Sequence, residues 1–440
     1  MGAGQPRWGR RWRRAHVLLA LALAGLLAAC SSGGNDKGGG GETQGTEKVT
    51  LTLDTFGEFG YEDLIKQYQT SHPNITVNQR KVVRLEDYRA RLDQWLAAGS
   101  GAGDVVALEE GQIIAQKAQA DKYVNLLDYG AGELKSNFLE WKWNQGLSAD
   151  QQKLIGLGTD IGPLAMAYRT DLFKKAGLPT ARDDVSKLWP TWDAYIETGK
   201  KFKAANTGAK FFDSLTNVYN TVLNQQGDFS YFDTSNNLVI DTNPRVKTAW
   251  DLSTRMYAEG LSASLRTFDP AWNAGFKKDA FATVAAPAWM LGIIQEQSGA
   301  SKKGLWDVAT VPGGGGNWGG SFLAVPTQSK HPREAADLAK FLTSPESQAA
   351  AFKAKKTFPS SPTAENDPAV QGLKDPYFNN APIGQIFAQG AQALKPLYLA
   401  PKHQPVREKV DDDLRAVEQG KLSAEEGWQR AVADAKKEAD

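Results

Sequence analysis

Val49-Thr50-Leu51-Thr52-Leu53, followed by Leu64, Ile65 and Tyr68 and then Ile75-Thr76-Val77, is the passage that decides the fold class. The first segment alternates apolar and polar residues with the period of a strand, and the next three apolar residues recur at helical spacing. Ile75-Thr76-Val77 is a second strand, entered through the turn His72-Pro73-Asn74. Leu85, Tyr88, Leu92, Trp95 and Leu96 mark the apolar face of a helix over 85–98, and Asp104-Val105-Val106-Ala107-Leu108 is a short apolar strand. Strands that alternate with helices of this length predict an α/β chain with a parallel sheet covered on both faces.

Ahead of Val49 the composition changes. Arg7, Arg10, Arg11, Arg13 and Arg14 precede an apolar run from Val17 to Ala29, the basic and apolar regions of an export signal. The run has 13 residues, short of the roughly 20 needed to cross a bilayer. Leu27-Ala28-Ala29-Cys30 resembles the lipobox of bacterial lipoproteins. It implies a signal peptide over 1–29 and a mature chain that starts at Cys30, acylated on sulfur by chains such as palmitate. The protein is then expected on the extracytoplasmic face of the cell membrane, anchored in the bilayer. Residues 30–47, with Gly33-Gly34 and the run Gly38 to Gly41, bury too little apolar area to order and are expected to be a flexible tether. The arginine pairs leave both the general and the twin-arginine export routes open.

The 51 Lys+Arg and 50 Asp+Glu of the whole chain nearly cancel; without the five leader arginines the net charge is near −4. That balance argues against nucleic acid as a partner. Cys30 is the sole cysteine, so the fold must be held by an apolar core instead of disulfides. His72, His331 and His403 stand far apart without cysteine partners, so no metal and no cofactor are expected. A length near 390 residues after the leader and tether suggests two domains.

Farther along, Thr191-Trp192-Asp193 and Ser344-Pro345-Glu346 have the form of helix starts, each with a capping hydroxyl and an early acid. Val311-Pro312, Gly313 to Gly316 and Gly319-Gly320 form a glycine-rich stretch, but no Gly-Lys-Ser/Thr follows it, which favours a backbone crossing over a phosphate loop. The segment from Ile161-Gly162-Pro163-Leu164-Ala165-Met166-Ala167-Tyr168-Arg169-Thr170-Asp171-Leu172-Phe173 through Lys174-Lys175-Ala176-Gly177-Leu178-Pro179 resembles the entry to the second lobe of family 1 extracellular solute-binding proteins. These are the maltose-binding type of receptor for ABC importers. Thr191-Trp192-Asp193, Phe276 to Trp289 and His331 to Glu346 are similar to further segments of that family. Lys278-Asp279-Ala280 replaces its Gly-Lys-Ala core, and Ala286-Pro287-Ala288-Trp289 lacks its usual glycine.

The resemblance implies an α/β fold of the periplasmic-binding-protein type II kind. Two lobes are expected, 48–160 with about 312–358, and 161–311 with about 359–440, around a ligand cleft. Hinge crossings are expected near Thr159 to Pro163, Val311 to Trp318 and Phe358 to Ser361. It also implies a monomer that binds an oligosaccharide and hands it to membrane permease subunits, without catalysis. Sugars need aromatic faces for their C–H surfaces and carboxylates or amides for their hydroxyls. Of thirteen tryptophans, the eleven that follow the leader supply the first, although Trp95, Trp192 and Trp250 have the placement of core residues. Trp289 matches the family's cleft tryptophan, and Trp272 and Trp318 are further candidates. Phe56 and Glu58 in the loop after the first strand, and Glu109 and Glu110 after Val105-Val106, sit where open α/β sheets bind ligands. Asp160 at the first crossing matches a position where the family places a sugar-binding carboxylate; Asn217, with Tyr219 nearby, is a second-lobe candidate. His403 is expected on the surface.

A receptor for a polyol or glycerophosphate is one alternative, and a secreted carbohydrate-active enzyme another. Against the enzyme, Glu109 and Glu110 are adjacent and would point apart, and neither a Gly-x-Ser-x-Gly nor a His-Glu-x-x-His pattern is present. The lipobox generates the first prediction: Cys30→Ser blocks acylation, so immunoblots of cell fractions should show unprocessed or released protein. Normal processing with membrane retention would contradict it.

Overall fold

The computed structural model describes residues 47–440; the export segment, Cys30 and the glycine-rich stretch up to residue 46 lie outside the described residues. In chain order the strands are β1 (Val49–Phe56), β2 (Ile75–Val82), β3 (Val105–Glu109), β4 (Leu157–Gly158), β5 (Asp160–Ile161), β6 (Leu164–Arg169) and β7 (Lys210–Phe212). They continue as β8 (Asp228–Phe229), β9 (Phe281–Pro287), β10 (Trp306–Ala309), β11 (Ser321–Ala324), β12 (Phe358–Pro359) and β13 (Leu397–Tyr398). Helices connect most of them, and none among the described residues is long and apolar enough to cross a membrane.

Two sheets organise the chain. The first has the order β2-β1-β3-β11-β4 and the second β10-β6-β9-β7. β2, β1 and β3 are parallel, as the alternation of strands and helices predicts. β11 departs from that expectation by running antiparallel to both β3 and β4. The reason is its direction of entry: Ser321 pairs with Glu109, so β11 starts at the edge where β3 ends and must run back from it.

The first sheet is covered on both faces, because successive residues of β3 point to opposite sides. Val105 and Ala107 join Leu51, Leu53, Leu126 and Leu338 on one face; Val106 and Leu108 join Tyr88, Leu92, Ile113 and Phe322 on the other. The second sheet has a core of its own, in which Met166, Tyr168, Val284 and Val308 pack with Trp189, Trp250 and Trp306. Each fully buried leucine or valine contributes about 2 kcal/mol. Both expected helix starts are present: Thr191 Oγ1 accepts from the Ala194 N–H at 3.2 Å and Ser344 Oγ from the Ser347 N–H at 3.2 Å.

The chain crosses between the sheets three times, in the segments that the sequence marks. β5 carries it out of the first sheet, the glycine-rich stretch brings it back to β11, and β12, paired with β5 through Ile161 and Phe358, carries it out again. The crossings touch at backbone level. The Trp318 N–H donates to the Gly162 carbonyl at 2.8 Å, and the Gly162 N–H donates to Asn317 Oδ1 at 2.8 Å. A Cβ on Gly162 would lie 2.0 Å from the Trp318 carbonyl oxygen. Gly162→Ala should therefore force these strands apart and cost about 1–3 kcal/mol, read as a lower midpoint in thermal unfolding. An unchanged midpoint would show that the crossings are not in backbone contact.

Candidate functional site

The carboxyl ends of β1 and β3, the glycine-rich crossing and the start of the helix His403–Glu418 meet in one region. Glu109 ends β3 and caps the helix Glu110–Gln116, its Oε2 accepting from the Gly111 N–H at 2.9 Å. The same oxygen accepts from Arg89 Nη2 at 2.5 Å, and Arg89 Nη1 lies 3.5 Å from Glu408 of the second lobe. An ion-paired chain thus runs from one lobe to the other. Glu408 is largely exposed, so its link with Arg89 contributes at most about 1 kcal/mol.

Glu110 turns the other way. Its Oε1 accepts from Gln145 Nε2 at 2.9 Å and from Asn317 Nδ2 at 3.1 Å, so the crossing is tied to the first lobe through a cleft residue. Burial pushes the Glu110 carboxyl up to about 7, against the pull of the Lys142 ammonium. Lys142 is itself fully buried, with Nζ 3.9 Å over the Phe322 ring and no hydrogen-bond partner. Burial depresses its basicity, while Glu110 and Asp160 act in the opposite direction.

Glu110, Trp141 and Gln145 from the first lobe, Asn317 from the crossing, and Asn224 and Lys395 from the second lobe line a narrow crevice whose cavity volume is only about 20 Å³. An aromatic ring, a carboxylate, three amides and an ammonium converge there. Next to Asn317, Trp318 receives a hydrogen bond on its carbonyl from Trp289 Nε1 at 3.3 Å, and the two indoles meet edge to face at 6.3 Å. The Arg407 guanidinium lies 5.8 Å from the Trp318 ring. Among the described residues no three His, Cys, Asp or Glu side chains converge as a metal site requires.

Of the residues singled out in the sequence, Glu109, Glu110, Trp289 and Trp318 lie around this region. Phe56 is half-buried at the end of β1, edge-on to Phe59 at 5.2 Å and tilted against Tyr88 at 5.4 Å. Asp160 lies beneath the cleft, where its Oδ1 accepts from Thr159 Oγ1 at 2.6 Å and from the Ser321 N–H at 2.9 Å, joining two crossings. Glu58 pairs with Lys81 at 2.8 Å and Lys355 at 3.0 Å, which ties its loop to the helix Pro345–Lys355.

Three expectations are corrected. Trp272 is 0% exposed and donates through Nε1 to Asp213 Oδ2 at 2.7 Å, so its ring belongs to the second core and has no free face. Asn217 is equally buried and donates to the same oxygen at 2.9 Å. His403 is inside, because it shares the inward face of its helix with Val406, Val410 and Leu414; it packs on Tyr231 at 5.1 Å, and burial lowers its pKa to about 3. Trp141, Gln145, Asn317, Arg89 and Arg407 were not singled out. A charged or amide residue at helical spacing gives no sign of which lobe it faces.

A sequence model of bacterial extracellular solute-binding proteins matches residues 63–380. The arabinooligosaccharide-binding protein of Bacillus subtilis (strain 168) is 27% identical over 336 residues, 72% of this chain and 71% of that protein. A solved structure described as an extracellular solute-binding protein of family 1 is 42% identical, with a TM-score of 0.80, over 89% of this chain and all of that one. An ABC-transporter-associated binding protein from B. animalis subsp. lactis, solved with β-1,6-galactobiose, has the same fold at a TM-score of 0.75 and 21% identity, over 89% of this chain and 99% of that one.

Asp213 supplies a pH test of the second core. Burial pushes its carboxyl up to about 7, against the hydrogen bonds from Asn217 and Trp272, and its Oδ1 has no partner. A raised folded-state pKa means that the folded protein holds a proton which the unfolded chain loses near pH 4, so this contribution fades as pH rises through 7. Asp213→Asn keeps the acceptor and cannot ionise. The stability of the variant minus that of the parent should grow from pH 5 to about pH 7, by on the order of 3 kcal/mol, and level off above it. A difference that shrinks over this range would reverse the assignment.

Proposed function

The chain belongs to the family of bacterial extracellular solute-binding proteins, and from that premise we propose that it captures an oligosaccharide and delivers it to an ABC importer. The convergence of Trp141, Trp289 and Trp318 with Glu110, Gln145, Asn317 and Arg407 between two lobes carries this reading. Indole faces suit pyranose C–H surfaces, and the carboxylate and amides suit hydroxyl groups. The sugar named for the Bacillus subtilis relative points the same way. Arg89 is engaged by Glu109 and Glu408, and Arg407 lies 3.7 Å from Asp411, an arrangement that favours a neutral ligand over a glycerophosphate.

The working cycle is hinge closure. Lobes 48–160 with about 312–358, and 161–311 with about 359–440, both touch ligand only when closed, so binding shifts the population toward the form that the permease recognises. Acylated Cys30 holds the monomer at the outer face of the membrane, and the glycine-rich stretch gives it reach. The protein returns its sugar unchanged: Glu109 is committed to Arg89 and the helix cap, and Glu110 to two amides.

A thermal-shift screen against arabino-, galacto- and cello-oligosaccharides and lactose tests the reading. A true ligand at 100 times its dissociation constant should stabilise the protein by about 2.7 kcal/mol. Trp289→Ala should weaken that ligand about thirtyfold, equivalent to about 2 kcal/mol. No stabilisation by any sugar, or sugar turnover proportional to protein concentration, would overturn it.

A further inference from the structure

Two large apolar side chains stand out as exposed among the described residues, Val83 at 85% and Phe268 at 42%. Val83 follows directly on the end of β2, whereas Phe268 lies in the turn that leads into the helix Pro270–Lys277. Phe268 has a φ of +70°, in the left-handed region that a bulky aromatic side chain avoids. The turn is closed by the Asp269 N–H donating to the Arg266 carbonyl at 3.1 Å. A residue that served only packing would neither hold this backbone nor leave its ring in water. Strain of this kind points to a binding role when the surroundings enforce it.

The surroundings do enforce it. The Phe268 ring lies 6.2 Å from Trp289 at an interplanar angle of 28°, and 5.5 Å from Trp272 at 64°. Trp272 is fixed by Asp213, and Trp289 by the Trp318 carbonyl, so Phe268 is braced from behind by two immobile indoles. Trp318, Trp289 and Phe268 therefore form a continuous aromatic run, with centroid steps of 6.3 and 6.2 Å, that leads from the crossing out to solvent. Each step is comparable with the length of one glycosyl unit.

We propose that Phe268 is the platform of an outer subsite that takes the C–H face of a further neutral sugar unit, so that the protein selects trisaccharides and longer over disaccharides. The inner units lie along Trp318 and Trp289, and the outer one on Phe268. This rests on the oligosaccharide reading given above. The exposed ring contributes through stacking and the release of water from its face, so it favours chain length and is indifferent to the hydroxyl pattern of the outer unit.

Calorimetric titration of the purified protein with matched di- and trisaccharides of the arabinose, β-1,6-galactose and cellulose series tests it. In the series that binds, the trisaccharide should bind at least tenfold tighter than the disaccharide. Phe268→Ala should abolish that advantage and leave disaccharide affinity within twofold; Phe268→Tyr should restore it. Phe268→Gly, which accepts the positive φ, should lose the same advantage without lowering the melting temperature. An equal loss for both chain lengths, an unchanged trisaccharide affinity, or a destabilised glycine variant would overturn the subsite and return Phe268 to a packing role. If the parent protein binds no sugar of any series, the oligosaccharide reading itself falls, and the subsite with it.

Discussion

The hydrogen bond from Trp318 to the Gly162 carbonyl, with Asn317 returning a bond to the Gly162 N–H, is the contact around which the other parts are arranged. It joins the outgoing and returning crossings at a point where no side chain fits. Asn317 also reaches Glu110, and the Trp318 carbonyl also receives Trp289, so one dipeptide serves the hinge, the first-lobe carboxylate and the second-lobe indole together. A change in the relative position of the lobes must pass through this joint. Ligand contacts on Glu110 or Trp289 are therefore coupled to it by single hydrogen bonds.

Beneath that joint lies an electrostatic arrangement that an apolar core would not need. Lys142 is buried with Glu110 and Asp160 as its counter-charges, and its ammonium has an aromatic ring for a neighbour. Burying such charges costs several kcal/mol, and replacing a buried charge group by apolar side chains often stabilises a protein. The Lys142 ammonium has no hydrogen-bond partner, so Glu110 and Asp160 offset its burial at a distance only.

Period-two and period-3.6 patterns made β1, β2, β3 and the helices between them legible, because each element buries one or both faces against a neighbour. The three crossings were legible from their glycine and proline content and from the family resemblance. The direction of β11 was not, since an apolar tetrapeptide reads the same either way and only the path of the chain sets its polarity. Among cleft residues, those at strand ends and at motif positions, Glu109, Glu110 and Trp289, could be named in advance. The burial of Trp272 and Asn217 was not legible because polar neighbours in sequence do not reveal a buried acceptor such as Asp213, and that of His403 was not because it is the first residue of its helix, ahead of the apolar face of Val406, Val410 and Leu414. Arg407 and Trp141 gain their positions only when two distant segments meet.

The placement of β11 has a consequence for how the molecule comes into being. It lies in the interior of the first sheet, between β3 and β4, yet Ser321 pairs with Glu109 from roughly two hundred residues away. A nascent chain therefore holds β1, β2 and β3 long before the strand that closes them, and the whole second sheet is synthesised in the interval. Contacts of such long range are slow to form, because the entropy of closing the loop must be met before any pairing repays it. The first sheet thus cannot close until Ser321–Ala324 is present, whereas all four strands of the second sheet precede that segment, so the second core can form before the first is complete.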